Sequence, residues 1–165
     1  MEVTTVSLIV SIIALLLSVF VFFQLKDKDT VSSDSFSTRP LQLQAYERLV
    51  LLTERISLPN LISRISQPNA TAKEMQLLLT ENIKQEFEYN ASQQIYVNAV
   101  AWEAVRNLRD QNMLIINQIS NVLPPDAKSS DLNKQLLEVI MNQQESALHS
   151  IVLETLNFEA KQLLQ

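Results

Sequence analysis

No glycine occurs anywhere in the 165 residues of this chain. Glycine enters the positive-φ region at no steric cost, so its absence removes most tight turns that need that region and every glycine-dependent phosphate cradle. P-loops and dinucleotide fingerprints are excluded on that ground alone. What remains is structure built at negative φ, and helical spacing of apolar residues dominates most of the chain. The expected fold class is all-α: an N-terminal transmembrane helix, a flexible linker, then a bundle of five to six helical pieces.

Val6 to Phe23 is an almost unbroken apolar run, polar only at Ser7, Ser11 and Ser18, with charge beginning at Lys26. At about 1.5 Å per residue, an extension to Leu25 gives a helix of roughly 30 Å, enough to cross a hydrocarbon core. Residues 1–25 are therefore expected to anchor the protein in a membrane. Before the run the charges are Glu2 and the α-amino group, whereas Lys26, Lys28 and Arg39 follow it, and positive charge resists translocation. The N-terminus is expected outside and the body in the cytoplasm, with Asp27, Asp29 and Asp34 diluting the signal. A cleaved secretory signal would need a basic leader, a shorter apolar stretch and a small-residue cleavage site, none of which is present.

Within the run, Thr4, Ser7, Ser11, Ala14 and Ser18 are spaced three, four, three and four residues apart. That draws a stripe of small side chains down one side of a helix. In lipid such a stripe lets a second helix approach closely, at about 0.6 to 2 kcal/mol per polar contact. Self-association and entry into a larger membrane complex are both open, as is the simpler reading that the hydroxyls bond their own backbone and face lipid.

Residues 26–40 read as a flexible linker. Asp27 to Pro40 has few apolar residues and many that prefer local hydrogen bonds to helix. Fourteen residues span on the order of 20 Å as a coil and about 45 Å pulled straight. Its serines are conceivable phosphorylation sites, though a solvated tether needs no such role.

The body, 41–165, carries a sequence of helix signals. Pro40 suits a first helical position, and the helix it opens has Leu43, Tyr46, Leu49, Val50 and Ile56 on one side until Pro59 ends it. A short helical turn follows from Pro59 to Ser66. Thr71 with Glu74 forms a capping-box signature, and Met75, Leu78, Leu79, Ile83 and Phe87 stripe the next helix to about Tyr89. Asn90 to Val97 loses the period and reads as a connector whose Ile95 and Val97 tuck under the domain. Asn98 caps a long helix to about Val122, with Trp102, Val105, Leu108, Ile115, Ile116 and Ile119 inward, broken by Leu123-Pro124-Pro125. Ser129 or Ser130 caps a helix from Asp131 that buries Leu132, Leu136, Val139 and Ile140. After a weak interruption near Asn142 to Glu145, a last helix carries Leu148, Ile151, Val152, Leu156, Leu163 and Leu164. Short connections favour packing of neighbouring helices into a bundle.

Chemistry is sparse. With no cysteine and one histidine, a structural zinc or iron–sulfur site lacks ligands and disulfides are impossible. Net charge is −5, with the cations of the body scattered singly, so no basic patch suits nucleic acid. His149 lies four residues after Glu145, which on a helix puts a base beside an orienting carboxylate, although a lone surface histidine has the same spacing. Glu81, Glu86, Glu88, Glu103 and Glu154 could share a cation across the bundle or simply form a solvated face. The expectation is no catalytic residue, no cofactor, no metal and no nucleic-acid partner.

Twenty-seven residues are Asn or Gln, more than the eighteen acids, which suggests an exterior poor in charge that a partner covers at small desolvation cost. Tyr46, Tyr89, Tyr96 and Trp102 are the candidate partner surface, being apolar bodies with a polar handle, although each such residue is more often core.

The body resembles an uncharacterised bacterial family of short single-span proteins, chiefly of the Bacteroidota type, a domain of unknown function. The likeness runs from about Leu41 to Leu164. It rests on Leu43-Gln44-Ala45-Tyr46-Glu47-Arg48-Leu49, Glu54-Arg55-Ile56-Ser57, Pro59-Asn60-Leu61, Glu86-Phe87, Asn90, Gln93-Gln94-Ile95-Tyr96-Val97 and Ala101-Trp102-Glu103. Family members often carry Ser-Pro-Glu before the Trp, where this chain has Asn98-Ala99-Val100. The resemblance implies an anchor followed by a helical domain in a bacterial inner membrane, with no assigned activity. The expected role is a membrane-anchored, non-enzymatic interaction or assembly module within an oligomer or larger complex. A regulatory or sensory domain binding a small ligand between helices is the alternative.

Overall fold

A computed structural model of the protein describes residues 38–142 and 145–165. The anchor, the small-residue stripe from Thr4 to Ser18 and nearly all of the linker lie outside the described residues. Arg39 to Gln165 forms one compact unit. It holds α1 (Arg39–Ile56), α2 (Leu58–Ile65), α3 (Ala72–Tyr89), a 3-10 turn (Ala91–Ile95), α4 (Ala99–Val122), α5 (Ser129–Asn142) and α6 (Glu145–Gln162). Among the described residues there is no strand, only an isolated antiparallel bridge between Thr71 and Lys128. None of these helices is long and apolar enough to cross a membrane.

The absence of glycine leaves its mark on the helix ends. No described residue has a positive φ, so the helices leave through extended or bridge-region residues instead of the left-handed cap that glycine favours. Ser66 follows α2 at φ −55°, ψ 132°, and Leu123 follows α4 at φ −76°, ψ 149°. Leu123 is steered there by Pro124 behind it, which disfavours the helical conformation. Starts are fixed by side chains. Thr71 Oγ1 accepts from the Glu74 amide while Glu74 Oε2 accepts from the Thr71 amide, 2.8 Å, closing the reciprocal box. Asn98 Oδ1 accepts from the Ala101 amide at 2.7 Å and starts α4.

The start of α5 differs from the sequence reading. Helix begins at Ser129, and neither serine caps it: Asp131 Oδ2 accepts from the Lys128 amide at 3.0 Å. Ser129 is fully buried and donates its hydroxyl to the Gln67 carbonyl at 2.6 Å. Two backbone bonds of 2.9 Å, Ala72 amide to Ala127 carbonyl and Ser129 amide to Ala70 carbonyl, join the same two loops. The α2–α3 and α4–α5 loops are thus one hydrogen-bonded seam, which satisfies groups that would otherwise be orphaned at the starts of α3 and α5.

The core is shared by all six helices. Leu49, Leu52 and Ile56 of α1 meet Leu61 of α2, Met75, Leu79 and Ile83 of α3, Val105 and Ile116 of α4, Leu132 and Leu136 of α5, and Val152 and Leu156 of α6. The α1–α6, α3–α4 and α4–α6 pairs make the broadest contacts. Asn98 lies beside Tyr46, and Asn112 beside Ile56, so α1 and α4 run in the same direction. α3 runs against both, since Phe87 near its end meets Trp102 near the start of α4, and Gln76 near its start meets Asn117 near the end of α4.

Three apolar residues expected inside are not. Ile95 is 73% exposed, because the connector is a 3-10 turn whose three-residue period turns Gln93 inward instead. Ile151 is exposed because α6 faces the core through Leu148, Val152 and Leu156, four residues apart; Leu164 lies past the helix and is also exposed. The amide-rich exterior also needs amendment. Gln76, Asn90, Gln93, Asn112 and Asn133 are buried. Several of them join elements: Gln76 donates to Asn117 at 2.6 Å and Asn133 to Ser66 at 3.0 Å.

Candidate functional site

The four aromatic residues singled out as a partner surface separate into two pairs. Tyr46 is buried, and its hydroxyl accepts from the Asn98 amide at 3.2 Å, tying α1 to the start of α4. Trp102 is half-buried with its ring 5.0 Å from that of Phe87, and the Arg109 guanidinium lies over Phe87 at 4.1 Å. Tyr46 and Trp102 are therefore packing residues in this body. Tyr89 and Tyr96 remain outside, with Tyr89 75% exposed. Ile95, between them in the chain, and Val100, just after them, are also exposed, and no spacing in the chain groups these two with the tyrosines. α3 ends at Tyr89, the 3-10 turn ends at Ile95 and α4 begins at Ala99, so one reversal of the chain brings all four to the same end of the bundle.

A second feature surrounds the single histidine. A cavity of about 280 Å³ opens between the α1–α2 junction, α4 and the α5–α6 region, lined by Ser57, Pro59, Leu108, Asn112, Ile140 and His149 among others. Asn112 donates to the Ile56 carbonyl at 2.8 Å, satisfying the end of α1, and Ser57 Oγ donates to the Glu54 carbonyl at 2.9 Å. Asn60 Nδ2 donates to Glu54 Oε2 at 3.1 Å. His149 Nε2 lies 3.7 Å from the same Oε2, beyond hydrogen-bond range, and is shielded from solvent without a bonding partner. The carboxylate beside His149 is thus Glu54 of α1. The side chain of Glu145, its expected neighbour, lies outside the described residues.

Two of the acidic residues considered for a shared cation, Glu86 and Glu103, are paired with arginines instead. Glu86 of α3 accepts from Arg55 of α1 and from Arg64 of α2, the latter at 2.9 Å. Arg64 also donates to the Arg55 carbonyl at 3.2 Å. The Arg55 hydrogen bond holds the Glu86 carboxyl below its ordinary pKa, burial opposes this, and Arg64 adds to the lowering. A carboxylate so occupied is a structural joint between three helices. Glu103 pairs with Arg106 on its own helix. Among the described residues no group of three or more His, Cys, Asp or Glu is placed to hold a metal ion. A wider open groove of about 910 Å³ runs along α3 past Gln67, Asn69, Glu74, Leu77 and Glu81.

In comparison with known proteins, the model of a family of unknown function (DUF7935) matches residues 1–163, almost the entire chain. No curated protein matches it. No solved structure matches it either.

Proposed function

The chain belongs to that family of unknown function, and on this premise we propose that it is a membrane-anchored, non-enzymatic interaction module. Its N-terminal helix spans a bacterial inner membrane with the N-terminus outside. The helical body is held at the cytoplasmic face, where the protein assembles with itself or with a membrane complex. The observation that carries this reading is the apolar run from Val6 to Phe23, followed at once by polar residues 26–40 and then by a helical body with its own closed core. The small-residue stripe Thr4, Ser7, Ser11, Ala14 and Ser18 supports association within the membrane.

The test is affinity purification of the full chain from mild detergent. Recovery of a defined complex, or of a homo-oligomer, is the expected result. Replacing Ser7, Ser11 and Ser18 together by Leu is expected to reduce the assembly to a single chain; an unchanged mass removes the stripe from the account.

The cavity at His149 favours a second reading, a regulatory body that takes a small ligand between helices. About 280 Å³ is close to the lower bound of ordinary ligand pockets, and an apolar wall with a few polar groups is their usual composition. A ligand held there raises the melting temperature of the protein by mass action. A thermal-shift screen in which His149→Ala abolishes a reproducible hit supports this reading; hits that ignore the substitution place any ligand elsewhere.

A further inference from the structure

The end of the bundle that carries Tyr89, Ile95, Tyr96 and Val100 is also the end at which the chain enters the body. Asn98 is hydrogen-bonded to Tyr46, and Asn112 to the carbonyl of Ile56, so moving back along α1 from Ile56 to Tyr46 is moving towards the start of α4. α1 then continues for seven more residues to Arg39, about 10 Å further in the same direction. Leu41, on that stretch, is also half-exposed. The apolar run of Val6 to Phe23 is separated from Arg39 by only fifteen residues, so an anchored chain brings this end of the body within about 50 Å of the bilayer at full stretch and far nearer as a coil.

What is exposed there has the chemistry of a lipid interface. Tyrosine is enriched where one part of a ring meets hydrocarbon and its hydroxyl meets headgroups, and Ile95 and Val100 supply apolar bulk at the same end of the bundle. Beside Tyr89, Arg48 and Leu51 line a groove between α1 and α3, a cation on a long stem next to apolar surface. The adjoining helices carry charges of both signs, Arg39, Glu47 and Arg48 on α1 and Glu88 on α3, so contact rests on apolar burial and not on attraction to acidic lipid.

We propose that Tyr89, Ile95, Tyr96 and Val100 dock this end of the body into the headgroup region of the same bilayer that holds the anchor. The inference rests on the anchored reading and adds an orientation to it: α4 stands away from the membrane with Val122 at its far end. A helix of 24 residues is about 36 Å long, so the two ends of α4 are clearly separable by a probe that reads contact with lipid.

The absence of cysteine makes the test direct, since a single introduced thiol takes one label without further changes. Full-length Ile95→Cys and Val122→Cys variants are each labelled with an environment-sensitive fluorophore and reconstituted into phosphatidylcholine vesicles with or without spin-labelled lipid. Both positions are exposed and apolar, so the label has the same tendency to seek lipid at either one. The expected result is that the label at position 95 loses most of its emission to the spin-labelled lipid while the label at 122 keeps its own. If the protein floats with the vesicles and neither label is quenched, the docking is overturned and the anchored reading stands. Equal quenching at both positions overturns the orientation. Failure to float with the vesicles removes the anchored reading and the docking with it.

Discussion

Glu86 shows how single side chains hold separate helices in this protein. Its carboxylate is mostly shielded and accepts from arginines on α1 and α2, so removing the charge leaves two guanidinium groups without their partner. Glu86→Gln is expected to cost about 1 to 2 kcal/mol at neutral pH, measured by urea unfolding. Because the folded carboxyl titrates below its unfolded value of about 4.3, the contribution is complete above that pH and is lost as pH falls through the folded pKa. Wild type and variant should therefore converge in acid; a difference that persists at low pH shows that packing, not charge, was removed. Asn112 makes a different kind of joint. Its amide is buried and satisfies the last carbonyl of α1, and Asn112→Ala is expected to cost about 1 to 3 kcal/mol by the same measurement, with little dependence on pH.

At the scale of elements, the starts of α3 and α4 are set by local chemistry. Thr71→Ala removes the acceptor for the Glu74 amide and is expected to destabilise the fold by about 1 kcal/mol. Hydrogen exchange should speed up first in the opening turn of α3; uniform acceleration throughout the protein indicates that the cap acts on global stability only. Both caps were legible in the sequence because the residues involved lie three apart. The seam between the α2–α3 and α4–α5 loops was not, since Ser129 reaches Gln67 across 62 residues and a serine ahead of an acid reads equally well as a cap. Long-range partnership also hid the setting of His149, whose neighbouring carboxylate is Glu54 on the first helix. The exposure of Ile95 escaped for a third reason. Ile95-Tyr96-Val97, three residues that favour extended structure, suggested a buried connector, whereas the 3-10 turn that ends at Ile95 follows a different period.

For the whole molecule, the contrast between core and surface is measurable. Leu49→Ala opens the centre shared by the helices, where Leu49 is fully buried, and is expected to cost about 2 to 5 kcal/mol, enough to compromise a marginal domain. Ile95→Ala, at the exposed end, is expected to change stability by less than about 0.5 kcal/mol. Comparable costs at both positions would mean that the end patch is covered in the folded protein. The helical class and most of the core were readable from spacing, because each helix buries one stripe. Which helices would neighbour one another was not, since the broadest contact joins α1 to α6, the two most distant in sequence.

That closure of first helix upon last bears on biosynthesis. While the ribosome is still making the middle of the body, α1 has emerged with Leu49, Leu52 and Ile56 uncovered, and its main cover is translated only at the end. At about 5 to 20 residues per second, roughly a hundred residues of delay leave that stripe waiting for seconds. A nascent chain halted before α6 is therefore a natural client for a holding chaperone, and emergence of α6 from the ribosome is the event that lets the domain shut.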